Sequence, residues 1–186
     1  MRNPAFADLL DVPVNEALSS RVVYVRCAHG LTGPYGAVVE SIVDTLDRHG
    51  LVVRLGRGPL PDGVDPCGAI LIGDAEPVPY PYVVVGDEPP PDGVAGVWSD
   101  RAAARRLLAE HRPAAVVCAD AGQAAEERRR GAEVAVLDDT GVVGGDMVAV
   151  RRSWGEVGAL AAAVLLRLLD GAGGEPPRVA VPPELA

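Results

Sequence analysis

The chain has 186 residues, of which 48% are hydrophobic, with a formal net charge of −9 and a mean hydropathy of +0.17. These values argue against disorder and suit one domain with a buried core or two small lobes. The acidity disfavours direct binding to a nucleic acid, since a phosphate backbone is bound by clustered Lys and Arg. No apolar run approaches the roughly 18 residues of a membrane span, and residues 1–20 do not resemble a signal peptide, so we expect a cytoplasmic protein without membrane contact.

The first predicted elements are a strand, a loop and a helix. Residues 21–26 form a β-branched run, and residues 27–34 contain two Gly and one Pro. Apolar side chains then recur at helical spacing from Val38 to Leu46, and Gly50 follows. This order is typical of the start of an α/β fold.

Three continuous apolar runs of strand length come next, as expected for a parallel sheet covered on both faces. They are residues 51–55, 69–73 and 82–86. The segments between them, 56–68 and 74–81, are rich in Pro and Gly, so we expect loops there instead of crossover helices. Part of one sheet face would then lack helical cover, and exposed apolar surface is unfavourable by about 25 cal/mol per Å². This predicts association, most simply as a homodimer, unless the Pro-rich loops themselves cover the sheet.

The second half of the chain repeats the alternation of helices and strands. We expect Ser99 to cap a helix that reaches about His111, and residues 114–118 and 134–137 to form strands separated by a short helix. Arg128, Arg129 and Arg130 follow two glutamates on that short helix, so they are interpreted as a solvated, self-compensated face. Such alternation predicts a three-layer α/β fold.

The C-terminal segment combines a capped helix with a closing strand. Ser153 and Glu156 have the spacing of a capping box, apolar residues recur at helical spacing from Trp154 to Leu169, and Gly171 is a natural C-cap. The sequence Arg-Val-Ala-Val-Pro-Pro-Glu-Leu then occupies residues 178–185. By physical criteria alone this is a core helix followed by a strand.

In this order the segments resemble the effector-binding domain of LacI/GalR-type transcription regulators. Residues 33–36 stand at the family's "NPFF" turn, residues 82–88 at its "PVVLVD" strand and residues 134–140 at its "VSVVGFDDT" segment. The resemblance implies a Rossmann-like parallel sheet flanked by helices, of the type I periplasmic-binding-protein-like class with a reduced second lobe. It also implies an N-terminal extension over residues 1–20, without a helix-turn-helix, and one domain over 21–186 whose second lobe is trimmed to about 112–150.

Candidate ligand-binding residues follow from strand ends and from the resemblance. Ligands of open α/β sheets bind beyond the carboxyl ends of the strands, where this chain carries many carboxylates. By resemblance Asp100, Asp120 and Asp138 stand where the family contacts its effector, with Asp120 replacing an Asn, and His29 and Tyr35 join them from the first loop and turn. Carboxylates suit hydroxyl or amine donors such as sugars, polyols or nucleosides. The alternative for each Asp is a helix cap or turn former.

Three functions remain open on these observations. The first is a sensing domain for a small polar metabolite, related to LacI/GalR-type regulators but without their DNA-binding domain, and pairing with itself or a related regulator. The second is an enzyme recruited from this scaffold, using Cys27, His29 or the strand-end carboxylates. The third is an interaction module that has lost its pocket. We expect no metal and no cofactor, since the three cysteines form no CxxC pair and Gly30, Gly33 and Gly36 do not match a nucleotide-binding loop.

Overall fold

The computed structural model describes residues 20–60, 63–74, 76–118, 121–137 and 148–185. Its strands are β1 (Val22–Cys27), β2 (Val52–Gly56), β3 (Gly68–Ile72), β4 (Tyr82–Gly86), β5 (Gly96–Ser99), β6 (Val116–Cys118), β7 (Val134–Val136), β8 (Val148–Arg151), β9 (Arg178–Val181) and β10 (Glu184–Leu185). Its helices are α1 (Tyr35–Asp47), α2 (Arg101–His111), α3 (Ala121–Arg129) and α4 (Trp154–Leu169). None of these four helices is long and apolar enough to cross a membrane.

The chain divides into two compact units. The first unit comprises Met1–Trp98 and Trp154–Ala180, and the second comprises Ser99–Ser153 and Val181–Ala186. The division proposed from the sequence, at residue 20 and near residue 112, stays a prediction.

The first unit is built on a six-stranded sheet in the order β2-β1-β3-β4-β5-β9. The pairings from β2 to β5 are all parallel. Every residue of β3 is buried, because this strand lies at the centre of the sheet and is covered on both faces. The α/β fold with a parallel sheet, which the continuous apolar runs predict, is thus confirmed.

Helix α4 is the core helix of the first unit. Eleven of its 16 residues are buried, and the side chains of Leu165 and Leu169 lie against Gly68 of β3. Past its end, Gly171 has a φ of 71°, its N–H donates to the carbonyl of Leu168, and the N–H of Ala172 donates to the carbonyl of Arg167. This is a Schellman motif, and it confirms the predicted C-cap.

The opposite face of the central strands is covered by loops. Leu60 and Val78, from the two Pro-rich segments, pack against a buried cluster of Tyr24, Ala69 and Leu71. The Tyr24 hydroxyl also donates to the carbonyl of Gly58 at 2.6 Å. Of the two predictions for this face, exposure or cover by the Pro-rich loops, the second is confirmed for the central strands, because these loops carry apolar side chains of their own.

The edge strand β2 keeps an exposed apolar surface. Val52 is 62% exposed and Leu55 is 42% exposed, and Val43 of α1 is 38% exposed. Among the described strands, β2 has β1 as its neighbour on one side and stands at the end of the sheet on the other. Apart from Leu31 in the loop after β1, which is 49% exposed, the large exposed apolar side chains in the described part of the first unit thus lie on β2 and α1.

The second unit contains a four-stranded sheet in the order β10-β8-β7-β6, with helices on both faces. Ala104 and Leu108 of α2 pack with Ala135 and Leu137, whereas Ala124 of α3 packs with Val136. Because successive strand residues point to opposite faces, this alternation produces a three-layer unit.

Two expectations for the second unit can be compared with its helices. Asp100, not Ser99, caps α2: its carboxylate accepts from the N–H of Ala103 at 2.8 Å, while Ser99 is the last residue of β5. Just past the end of α3, Arg130 pairs with Glu126 at 2.6 Å and with Glu127 at 2.7 Å. The cap prediction was therefore wrong by one residue, and the self-compensated face is confirmed for Arg130.

Candidate ligand-binding site

The candidate site lies at the carboxyl ends of β1 and β3 in the first unit. The two strands are neighbours, and just past them the N–H of Ala28 donates to the carbonyl of Ile72 at 3.3 Å. The loop after β1 leads directly into α1. Ligands of open parallel sheets bind at such an edge, beyond the strand ends.

Three aromatic side chains form a row at this edge, which we call the aromatic row. The ring of His29, in the loop after β1, stacks on Tyr35, the first residue of α1, with centroids 5.7 Å apart and an interplanar angle of 27°. The Tyr35 ring lies 6.2 Å from that of Trp154, the first residue of α4. His29 is exposed, Tyr35 is half-buried and Trp154 is 7% exposed. The row therefore runs from solvent into the core.

Gly73, which follows β3, lies directly against the His29 ring. A Cβ atom at this position would stand 2.6 Å from Cδ2 and 2.9 Å from Nε2 of His29, so a larger residue would collide with the ring. Its φ of +69° also favours glycine. The His29 ring thus fills the space that a side chain at position 73 would need, at the outer end of the aromatic row.

A buried arginine neutralises part of the acidic strand ends. Arg26 of β1 is 5% exposed, and its Nη2 lies 2.9 Å from the Asp74 carboxylate and donates to the main-chain carbonyl of Glu76 at 2.9 Å. The other oxygen of Asp74 accepts from the N–H of Glu76 at 2.9 Å. Asp74 is therefore engaged by the protein itself. The Arg57 guanidinium adds a second positive charge beside Gly30, 2.8 Å from where a Cβ would lie.

Cys27 is a buried thiol at the same edge. Its Sγ donates to the carbonyl of Gly30 at 2.9 Å, and burial raises its pKa above the ordinary value of 9.0, with smaller opposing effects from the hydrogen bonds of the His29 and Gly30 backbone and from the charge of Arg57. Nucleophilic cysteines have a lowered pKa and partial exposure. These properties are those of a structural thiol, and Cys27, Cys67 and Cys118 are all free, as expected.

Cys27 is expected to resist alkylation in the folded protein. Because its folded pKa is raised, ionisation favours the unfolded chain, so the stabilising effect of the protonated thiol is complete below about pH 9.0 and is lost as the pH rises through the folded value. At pH 8, peptide mapping after iodoacetamide treatment should find Cys27 unmodified in native protein and modified in urea. Rapid native labelling would contradict this assignment.

A second concave region lies elsewhere in the first unit. It is a groove of about 490 Å³ lined by residues that include Val22, Val52, Arg54 and Asp65. It lies beside the amino ends of β1 and β2, the end of the sheet opposite to the aromatic row. The aromatic row, and not this groove, lies at the end of the sheet where ligands of open parallel sheets bind.

The residues predicted as ligand contacts have different positions. His29 and Tyr35 come together in the aromatic row. Asp100 lies in the second unit as the N-cap of α2, with its other oxygen 3.9 Å from Arg106, so its role towards a ligand stays a prediction. Asp120 and Asp138 lie outside the described residues. In the part of the chain that is described, no group of three or more His, Cys, Asp or Glu could hold a metal ion.

Sequence reasoning missed Trp154, Gly73 and Arg26 as parts of this edge. Trp154 was interpreted as one of the apolar residues of a core helix, and Arg26 as the end of a strand. The sequence did carry a signal for Arg26. It follows four β-branched or aromatic residues in β1, so it continues a strand that is buried in a parallel sheet, and a buried charge needs a partner.

Comparison with known proteins gives a match in structure but not in sequence. No protein-family model matches the chain, and no curated protein is significantly similar to it. The transcriptional regulator CelR in complex with cellobiose gives a TM-score of 0.63 at 16% identity, over 100% of this chain and 90% of that chain.

Two further solved structures match over similar lengths. The periplasmic binding ribose operon repressor protein from Lactobacillus acidophilus gives a TM-score of 0.68 at 12% identity, over 89% of this chain and 96% of that one. The periplasmic binding protein/LacI transcriptional regulator from Alkaliphilus metalliredigens QYMF, complexed with D-xylulofuranose, gives 0.65 at 10% identity, over 90% and 97%. The chain therefore has the fold of the periplasmic-binding-protein-like effector domains of LacI-type regulators, as the resemblance in sequence implied.

Proposed function

We propose that this protein binds a small polyhydroxylated metabolite, such as a sugar, a polyol or a nucleoside, and acts as a sensing domain related to LacI/GalR-type regulators. The observation that carries the proposal is the aromatic row at the carboxyl ends of β1 and β3. A ring face provides apolar contact for the C–H surface of such a ligand, and the His29 ring nitrogens provide polar partners. Ligand sites commonly combine aromatic walls with a few polar groups in this way.

The charges at this edge support a neutral ligand. Arg26 balances the Asp74 carboxylate, and Arg57 adds a positive charge beside the loop after β1. A cationic ligand would therefore be attracted to this edge less strongly than the acidic composition of the chain suggests. CelR with cellobiose and the A. metalliredigens protein with D-xylulofuranose, two proteins of the same fold, are consistent with a carbohydrate.

A library of sugars, polyols and nucleosides is expected to contain a compound that raises the melting temperature. A ligand at 100 times its Kd stabilises the folded state by about 2.7 kcal/mol. Tyr35→Ala should abolish this stabilisation because it removes the middle ring of the row, whereas Tyr80→Ala, which alters a half-buried tyrosine outside the row, should retain it.

The same library tests the untested aspartates. Loss of binding in Asp138→Ala, Asp120→Ala or Asp100→Ala would assign each as a ligand contact. A library without any stabilising compound, or a hit that is equally strong in Tyr35→Ala, would overturn the proposed site.

We also propose that the protein forms a homodimer through the edge strand β2. The support is the exposed apolar surface of Val52 and Leu55 on a strand at the end of the sheet, since the outer edge of such a strand offers backbone groups to a second copy.

Val52→Lys should raise the Kd of the dimer at least about tenfold in sedimentation velocity, which corresponds to a loss of 1.4 kcal/mol of binding free energy. Ala109→Lys, at an exposed position of α2 away from any sheet edge, is the control and should leave the association unchanged. A monomeric wild type would exclude this arrangement.

A further inference from the structure

Arg26 and the loop after β3 form a connected group that the proposed ligand site does not itself use. Arg26 follows Val25 in β1, and its side chain is 6% exposed. One Nη atom bonds both the Asp74 carboxylate and the main-chain carbonyl of Glu76, and the other lies 3.4 Å from the Glu76 carboxylate. A single planar guanidinium thus holds two positions of one loop at once.

The same loop contains the glycine that supports His29. Gly73 directly precedes Asp74, its N–H donates to the carbonyl of Val85 at 2.9 Å, and its backbone lies against the His29 ring. A shift of Asp74 moves the adjacent Gly73, and the His29 ring occupies the space beside Gly73 that a side chain would fill. The contacts therefore run without a gap from Arg26 through Asp74 and Gly73 to the ring of His29.

We propose that Arg26 is a positioning residue: it fixes the loop after β3 so that Gly73 holds the His29 ring in place at the end of the aromatic row. The consequence for ligand affinity rests on the proposed function, whereas the effect on His29 does not. Arg26 touches neither His29 nor the expected ligand position and acts only through the loop.

Stability alone gives a weak reason for an arginine at this position. Replacing a buried ion pair by apolar side chains is often neutral or stabilising, and neighbouring Tyr24, Ala69 and Leu71 already form an apolar cluster on strands β1 and β3. In the described part of the chain the Nε of Arg26 is buried without a hydrogen-bond partner, which is unfavourable. The arginine provides two Nη atoms, one at the Asp74 carboxylate and the Glu76 carbonyl and the other at the Glu76 carboxylate, whereas a lysine offers a single nitrogen.

The test is a histidine NMR spectrum of the protein without ligand, at constant pH. The chain has three histidines, so His49 and His111, whose Nδ1 atoms bond the carbonyls of Thr45 and Leu107, are internal references for an intact fold. In Arg26→Met the ring resonances of His29 should move towards their positions in unfolded protein, while those of His49 and His111 stay in place. His29→Asn identifies the His29 signals by their loss.

Two further variants keep the result decisive. Arg26→Lys retains the charge and is the milder change, but its single nitrogen cannot occupy both Nη positions, so it should still move the His29 signals. Arg129→Met, which removes an exposed arginine of α3 that bonds the carbonyl of Ala125, should leave all three histidines unchanged. His29 signals that stay in place in both Arg26 variants, or signals of all three histidines that move together, would overturn the proposal.

Ligand affinity is measured separately, with a compound identified in the library screen and by calorimetry. Arg26→Lys should raise the Kd about tenfold, a change of 1.4 kcal/mol. A displaced His29 together with an unchanged Kd would overturn the ligand site at the aromatic row and leave the positioning role standing. An unmoved His29 would overturn the positioning role whatever the Kd.

Discussion

Replacing Gly158 by alanine is expected to lower the free energy of unfolding by about 2–3 kcal/mol, although alanine is the better helix former. Gly158 lies where α4 crosses α1, and a Cβ atom there would overlap the main-chain carbonyl of Val38 and stand 3.1 Å from the Cβ of Ser41. A backbone atom within a helix cannot rotate away, so the helices must separate. Separation would open the core between two helices whose facing side chains are almost all buried.

Gly155→Ala is the matched control for this change. Gly155 lies one turn earlier on α4, but its nearest neighbour is the Ser41 hydroxyl, 3.2 Å from the position of a Cβ, and a hydroxyl can rotate. Urea unfolding followed by circular dichroism should show this variant within about 0.5 kcal/mol of wild type. If the two alanine variants were equally stable, the two helices would not approach as closely as the structure shows.

The long apolar elements could be predicted from the sequence because burial on both faces leaves an unmistakable pattern. Strands β3 and β4 appear as continuous apolar runs, and α4 shows its buried positions at helical spacing. The short strands β5 and β8 were not predicted from their pattern. Each has four residues and includes a polar one, so partners in the sheet, and not local sequence, determine them.

Two details of the fold depend on tertiary contacts that no local pattern encodes. Ser99 and Asp100 are both good N-caps, and only the burial of Ser99 within β5, at 2% exposure, leaves Asp100 as the cap. The Pro-rich segments look like ordinary surface loops. The sequence left open whether they cover the sheet, and the contacts of Leu60 and Val78 with the sheet decide that they do.

Only the part of the candidate site that is local in sequence could be predicted. His29 and Tyr35 lie in one loop and the turn that follows it, so their proximity is local. Trp154 and Asp74 come from distant parts of the chain, and only the parallel order of the strands and the packing of α4 bring them to the same edge. The resemblance to a known family pointed to Asp120 and Asp138, which lie outside the described residues and remain candidates.

Asp74→Ala is expected to destabilise the protein by about 3 kcal/mol, because it removes one partner of a largely buried ion pair. Arg26 would keep its contacts with the main-chain carbonyl and with the carboxylate of Glu76, which is 76% exposed. It would lose its close contact with the Asp74 oxygen at 2.9 Å.

The matched control is Asp92→Ala, which breaks an ion pair of 2.7 Å with Arg178. There the Asp92 side chain is 99% exposed, so water replaces the lost contact and the change should stay below about 1 kcal/mol.

The double variant Arg26→Met with Asp74→Ala separates the cost of an unpaired charge from the value of the pair. With the guanidinium gone, no charge is left buried beside the apolar cluster, so the double variant should be more stable than Asp74→Ala alone. Arg26→Met by itself should cost no more than about 1.5 kcal/mol, since Met fills similar space and the remaining carboxylate is 28% exposed and can be hydrated. If the loss of unfolding free energy in the double variant equalled the sum of the losses in the two single variants, the explanation would be contradicted, because the two charges would then not be coupled. A double variant that is more stable than Asp74→Ala would mean that Arg26 contributes little net stability. Its contacts with the loop beside His29 would then be the better explanation for an arginine at this position.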